Sequence, residues 1–303
     1  MILVGGEALV DLVLGGGDEV GAHLGGGPFN CARTLGRLEQ PVAYLGRVSS
    51  DRFGARLREQ LEADGVSLEA VVATEDPTTL ALAELDAEGV ATYRFYRDGT
   101  SAAGLTVEDA LAVLPDGVEM IHTGTLGLIF EPTATAIEAV VERIAETALV
   151  MIDLNCRPSA ITDPEGYRAR LDRLLPRCDV VKASDADLEY LDPGRPDVEA
   201  ARALRSLGPA VVLLTRGGRG ATVVSADGEV EVAAPRVEVA DTIGAGDAFG
   251  GGFLAWWRRE GLAVADLGRA DALVEATRFA CLVAARTCER PGASPPRLAE
   301  LSP

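Results

Sequence analysis

The chain has 303 residues, 48% of them hydrophobic, and carries 47 acidic against 28 basic side chains for a net charge of −19. That apolar share is enough for the buried core of one large α/β domain or two modest ones, and it excludes a disordered chain. The negative charge, with no basic patch to offset it, excludes nucleic acid and anionic membranes as partners.

In chain order, residues 2–4 form a first strand. The apolar start is interrupted by Glu7 and Asp11 and lacks a basic leader, so it reads as strand and not as a signal peptide. A second apolar stretch, 9–14, precedes the break at Gly25, Gly26 and Gly27. A helix over 30–39, a strand over 42–45 and an amphipathic helix over 52–63 follow. Residues 80–85 and 90–96 flank Asp86-Ala87-Glu88-Gly89, the chemistry of an antiparallel hairpin. Strands are then expected at 120–123, 150–154, 180–182 and 211–215, with helices at 134–146, 167–175 and 198–207 between them. Two helices, 247–259 and 271–288, close the chain. This alternation predicts an α/β fold: a three-layer sandwich with a mostly parallel central sheet. Residues 9–24 and 79–98 supply a small β lid. No linker separates two cores, so 1–303 is expected to be one domain. No apolar run reaches the roughly 18 residues needed to cross a bilayer.

Cys31, Cys156, Cys178, Cys281 and Cys288 are odd in number and show no C-x-x-C spacing, which implies free thiols and a cytoplasmic setting. His23 and His122 are too few for a zinc cluster, so any metal is expected to be magnesium held by oxygen ligands.

The densest chemical information lies at Asp241-Thr242-Ile243-Gly244-Ala245-Gly246-Asp247. Gly244, Ala245 and Gly246 let backbone N–H groups converge at the positive end of the next helix, where an anion such as a phosphoryl group binds. Asp247 beside that anion would repel it unless a metal or a transferring proton intervenes, which points to phosphoryl transfer. Three alternatives compete. Asp247 is also an ordinary first-turn helix residue, Gly244-Ala245-Gly246 begins like a dinucleotide fingerprint, and a Walker A loop is a third reading. The last fails on inventory, because Lys182 is the only lysine and follows no glycine-rich loop. Asp11 interrupts an apolar strand, so it either faces solvent or pairs with hydroxyl donors.

Residues 25–54, beginning Gly25-Gly26-Gly27-Pro28-Phe29-Asn30, together with 241–253, resemble the two signature regions of the ribokinase-like (PfkB-type) sugar kinases. Asp153-Leu154-Asn155-Cys156-Arg157 is similar to that family's D-x-N-x-R element, and 215–220 to its T-x-G-x-x-G nucleotide loop. The resemblance implies transfer of the ATP γ-phosphoryl group to a primary hydroxyl of a sugar. Asp247, held ionised by the helix N-terminus, would accept the hydroxyl proton, and Gly244, Ala245 and Gly246 would stabilise the developing charge. Asp11, Gly26, Gly27, Asn30, Arg97 and Arg157 would bind the sugar. Asn155, Lys182, Thr215, Gly217 and Gly220 would bind the nucleotide. Where the family has N-x-x-E, this chain has Ser184-Asp185-Ala186-Asp187, so Asp187, or else Glu189, would place Mg2+ through water. Carbonyls at Asp241, Ile243 and Ala293 would hold K+. A homodimer through the lid is also implied. Phe95-Tyr96-Arg97 resembles fructokinase and 2-keto-3-deoxygluconate kinase members more than ribokinase; the resemblance implies a fructokinase, with 2-keto-3-deoxygluconate kinase or ribokinase as alternatives. An NAD-dependent dehydrogenase and a non-catalytic sugar-binding relative are the readings from other classes.

Overall fold

A computed structural model describes residues 1–14, 20–85 and 91–301. The hairpin tip at 86–90 and the lid residues 15–19 lie outside these. The chain opens with β1 (Ile2–Gly5), β2 (Leu9–Leu14), β3 (Val20–Gly25) and α1 (Gly27–Arg37). Next come β4 (Val42–Ser49), α2 (Arg52–Ala63), β5 (Val71–Thr74), β6 (Leu80–Leu85), β7 (Ala91–Tyr96) and α3 (Val107–Ala112). The middle holds β8 (Met120–Gly124), α4 (Thr133–Ile144), β9 (Leu149–Asp153), α5 (Pro164–Leu174), β10 (Val180–Ser184), α6 (Asp185–Leu191) and α7 (Asp197–Arg205). The last elements are β11 (Val211–Thr215), β12 (Ala221–Ser225), β13 (Gly228–Val232), α8 (Ala245–Arg259) and α9 (Ala270–Cys288).

Nine strands form one sheet in the order β13-β12-β11-β10-β9-β8-β1-β4-β5. From β5 to β11 every pairing is parallel, and β12 and β13 close one edge antiparallel. The period of two sorts the strand residues into two cores. Ile2, Val4, Met151 and Leu213 pack against α1, α2, α8 and α9 on one face. Leu3, Ile121, Val150 and Val212 pack against α3, α4, α5 and α7 on the other, which makes the expected three layers.

A second sheet, β3-β2-β6-β7, is the lid. Strands β6 and β7 pair antiparallel, as the hairpin chemistry implied, with Leu80 opposite Tyr96. The lid is pinned at its base, where Phe95 meets Phe130 edge-on at 5.9 Å between ring centroids. Close packing beneath the site explains the glycine run early in α8. A Cβ on Gly251 would come within 2.8 Å of Thr34 on α1, so the glycines there serve helix contact.

Candidate active site

At the carboxyl ends of β1 and β8–β11, beneath the lid, lies a cleft of about 320 Å³. It is lined by Asp11, Gly26, Gly27, Asn30, Asn155, Arg157, Lys182, Asp187, Thr215, Ile243, Gly244, Gly246 and Asp247, so residues far apart in sequence converge. Crevices at the carboxyl ends of parallel strands are where α/β folds bind ligands. A second, largely apolar cavity of about 230 Å³ adjoins it, sharing Thr215 and Gly246 and adding Gly217, Gly220, Ala245, Phe249, Cys281 and Cys288.

Gly244 caps α8 with φ 76°, and a Cβ there would meet the Ala293 side chain at 2.6 Å, so the turn demands glycine. The Ala245 N–H closes the turn onto the Thr242 carbonyl at 3.2 Å, while the N–H groups of Gly244 and Gly246 donate to no described residue. Of the three amides expected to grip an anion, two are therefore available and one shapes the turn.

Asp247 is 8% exposed and accepts a 2.9 Å hydrogen bond from Asn30 Nδ2. The helix terminus was expected to hold it fully ionised. Instead burial, reinforced by the charge of Asp153, lifts its carboxyl to about 6, against the opposing Asn30 hydrogen bond and the Lys182 and Arg157 charges. Such a group is a better proton acceptor than an ordinary aspartate and still ionised near neutrality. Asn30 spends its amide N–H on Asp247, and its own Oδ1 is buried without a partner. An unpaired acceptor facing a cleft is a place for a hydroxyl.

Lys182 departs most from the solvated strand-end lysine that is the usual case. It is 4% exposed and bonds both oxygens of fully buried Asp153, at 2.9 and 2.8 Å. Burial pushes its ammonium down, but the Asp153 carboxylate overcomes that and holds it above its ordinary range. Its Nζ lies 3.2 Å from where a Gly246 Cβ would be, directly under the anion turn.

The other expected residues divide. Asp11 stands opposite His23, and burial lifts its carboxyl to about 6 against the His23 and Arg157 charges. Asn155, with φ 34°, follows the end of β9. Asp187 forms a capping box on α6: one oxygen accepts from the Ser184 N–H and hydroxyl, each at 2.7 Å, the other from the Cys156 N–H at 2.6 Å. Glu189 is exposed and receives the Gly194 N–H, and it is not part of the cleft wall. Arg97 is not brought to the cleft. It reaches the Ala160 carbonyl at 3.3 Å and the Thr162 hydroxyl at 3.2 Å, with its guanidinium over Phe130. Tyr93 and Phe95 of β7, the strand just before Arg97, line the cleft in its place. Asp241 holds the Ile243 and Gly292 N–H groups at 3.0 and 2.7 Å. The Ala293 carbonyl accepts from the Arg33 guanidinium at 2.9 Å. Among the described residues no cluster of three His, Cys, Asp or Glu side chains is placed to hold a metal, and no helix is long and apolar enough to cross a membrane.

The chain matches the pfkB family carbohydrate kinase over residues 6–300. The chain belongs to that family. As a carbohydrate kinase it is a phosphotransferase acting on a sugar hydroxyl. It is 37% identical over 267 residues to a fructokinase of Rhizobium leguminosarum bv. trifolii, covering 86% of this chain and 81% of that one. Against fructokinase-1 of Zea mays the identity is 32%, over 89% of this chain and 84% of the relative. A crystal structure of fructokinase with bound ATP from Xylella fastidiosa superposes with a TM-score of 0.89 at 28% identity, covering 99% and 96% of the two chains. A fructokinase from Vibrio cholerae O395 in a fructose, ADP and calcium ion bound form gives 0.85 at 25%, over 99% and 97%.

The cleft residues Glu7 and Thr125, and Asp153 buried behind Lys182, are not singled out by the sequence. Asp153 falls within the D-x-N-x-R stretch, and only the fold makes it the counter-ion of Lys182. Glu7 and Thr125 lie after β1 and β8, and each reads as an ordinary polar residue following a glycine. Their position just past parallel strand ends was the available clue.

Proposed function

We propose that this kinase transfers the γ-phosphoryl group of ATP to a primary hydroxyl of fructose. The observation that carries the reading is Asp247, buried beside two free amides of the Gly244–Gly246 turn with the Lys182 ammonium beneath. The sugar oxygen attacks the γ-phosphorus, the bond to the β–γ bridging oxygen breaks, ADP leaves, and the hydroxyl proton passes to Asp247. Because such transition states are loose, positioning and charge neutralisation carry most of the barrier reduction. The turn amides and Lys182 face the moving phosphoryl, Asp11, Asn30 and the Gly26 backbone hold sugar hydroxyls, and Gly27 lets the sugar approach closely. The apolar cavity against Phe249, Cys281 and Cys288 takes the adenine, with Thr215, Gly217 and Gly220 at its rim. When bound with the nucleotide, magnesium would supply positive charge to offset that of the phosphates. Asp187 is the cleft carboxylate that would hold its water; its three protein hydrogen bonds leave it no room to act as a multidentate ligand.

ATP is supported by the bound nucleotide named for the Xylella fastidiosa structure, and fructose by the relatives' names and the Vibrio cholerae structure. Arg97 lies outside the cleft and Lys182 is engaged by Asp153, so among the described cleft residues Arg157 is left to face a sugar-acid carboxylate, and a neutral ketose fits better than 2-keto-3-deoxygluconate. A dinucleotide enzyme is disfavoured because α8 leads into α9 and, among the described residues, no strand follows to complete a βαβ unit. The potassium ion named for a Vibrio cholerae fructokinase structure supports K+ at the Asp241 and Ile243 carbonyls, while at the Ala293 carbonyl a cation would sit beside the Arg33 guanidinium. We further read 1–303 as one domain at work in the cytoplasm, and the lid as a homodimer face, on the strength of exposed Val20 and Tyr96. The test is ADP release with MgATP and a panel of fructose, ribose and 2-keto-3-deoxygluconate. Fructose is expected to give the highest kcat/KM, and preference for the sugar acid would overturn the choice.

A further inference from the structure

Glu7 is 1% exposed and sits where the chain leaves β1 for the lid. Its carboxylate gathers three donors from two other segments. One oxygen accepts the Gly27 N–H at 2.9 Å and the Thr125 hydroxyl at 2.5 Å, and the other accepts the Gly127 N–H at 2.8 Å. Thr125 carries φ 53°, an uncommon conformation for a β-branched residue, and its methyl would lie 2.5 Å from a Cβ on Gly27. That strain persists only because the surroundings impose it. Gly27 opens α1, and one turn later Asn30, whose N–H bonds the Gly26 carbonyl at 2.9 Å, directs its side chain onto Asp247. A continuous series of contacts therefore runs from Glu7 through Gly27 and Asn30 to Asp247.

We propose that Glu7 is a positioning residue for phosphoryl transfer, clamping the first turn of α1 against residues 125–127 so that Asn30 aims the Asp247 carboxylate at the sugar hydroxyl. Its bond to Gly27 also means that this N–H is not free for a sugar, so the backbone contribution expected from Gly27 falls to its close approach alone. Three donors converge on four oxygen lone pairs, an arrangement a carboxylate satisfies and an amide does not. In Glu7→Gln the amide oxygen keeps at most one side of the clamp and its NH2 faces an N–H or O–H. Glu7→Asp keeps the charge but falls one methylene short.

The inference rests on the kinase reading, and the experiment separates the two. Wild type, Glu7→Gln, Glu7→Asp, Asn30→Ala and the Glu7→Gln/Asn30→Ala double variant are assayed for ADP release with fructose and MgATP. We expect kcat to fall about tenfold in both Glu7 variants, about 1.4 kcal/mol of barrier, with ATP KM within twofold of wild type. In the Asn30→Ala background, Glu7→Gln should cost less than twofold further, because its route to Asp247 is already cut. Additive losses, or a well-folded Glu7→Gln with wild-type kcat, overturn the proposal. Should Glu7→Gln fail to fold, Thr125→Val removes one donor at constant shape, and an unchanged kcat there overturns it equally. A wild type silent on every sugar sinks the kinase reading instead. The Asp247 carboxyl-carbon NMR resonance of the ligand-free protein then decides, since it must move in Glu7→Gln if the contact series holds and stay fixed if not.

Discussion

Replacing Lys182 by methionine keeps the side chain's bulk and removes its charge, leaving Asp153 fully buried with both oxygens unpaired. Breaking a buried pair from one side costs about 3–5 kcal/mol, because the orphaned charge remains desolvated. At roughly 2–4 °C per kcal/mol for domains of this order of size, the melting temperature should drop by about 6–20 °C. The variant can relieve part of this by protonating Asp153, whose carboxyl burial already pushes up. A raised folded pKa contributes stability below the ordinary aspartate value that is lost as pH rises through the raised value, so the deficit should be larger at pH 8 than at pH 5. Melting curves at both values test this. A second variant, Lys182→Met with Asp153→Leu, should regain stability to within about 1 kcal/mol, since an apolar pair can replace a buried ion pair. It should not regain turnover, because the ammonium under Gly246 is still absent. Wild-type melting of Lys182→Met at pH 8, or recovered turnover in the double variant, would refute the reasoning.

Asp247 must be unprotonated to accept a proton, and with its carboxyl at about 6, kcat should fall nearly tenfold per pH unit below that value; a pH–rate profile flat to pH 5 would contradict this. Glu7, lifted to about 7 by burial, and Asp11 and Asp247, at about 6, all bind protons more tightly folded than unfolded. Their stability contribution is present below about 4 and is lost as pH rises through 6 to 7, so the ligand-free melting temperature should decline between pH 5 and 8. Gly244→Ala meets both a left-handed φ and the Ala293 side chain, and should lower kcat more than tenfold with sugar affinity by calorimetry unchanged.

Much of this architecture was legible in the sequence because alternating apolar runs and helical periods are local properties. The parallel strands from 2–4 to 211–215 and the final helices follow from them. Strand β13 was not legible: Gly228-Glu229-Val230-Glu231 mixes glycine and exposed charge, and only pairing with β12 makes it a strand. The anion turn could be read from Gly244 to Asp247, since the chemistry lies in consecutive residues. Electrostatics could not. Whether Lys182 is solvated or buried against Asp153, whether Arg97 enters the cleft or lies over Phe130, and how far Asp247 is desolvated depend on contacts between distant segments.

Asp247→Asn tests the central claim most directly. The amide keeps an oxygen to accept from Asn30 Nδ2 but cannot take the hydroxyl proton. With fructose and MgATP, kcat should fall by about 10²–10⁴, the usual worth of a general base, while sugar affinity by calorimetry stays within threefold. A folded Asp247→Asn enzyme releasing ADP at more than a tenth of the wild-type rate would contradict the account.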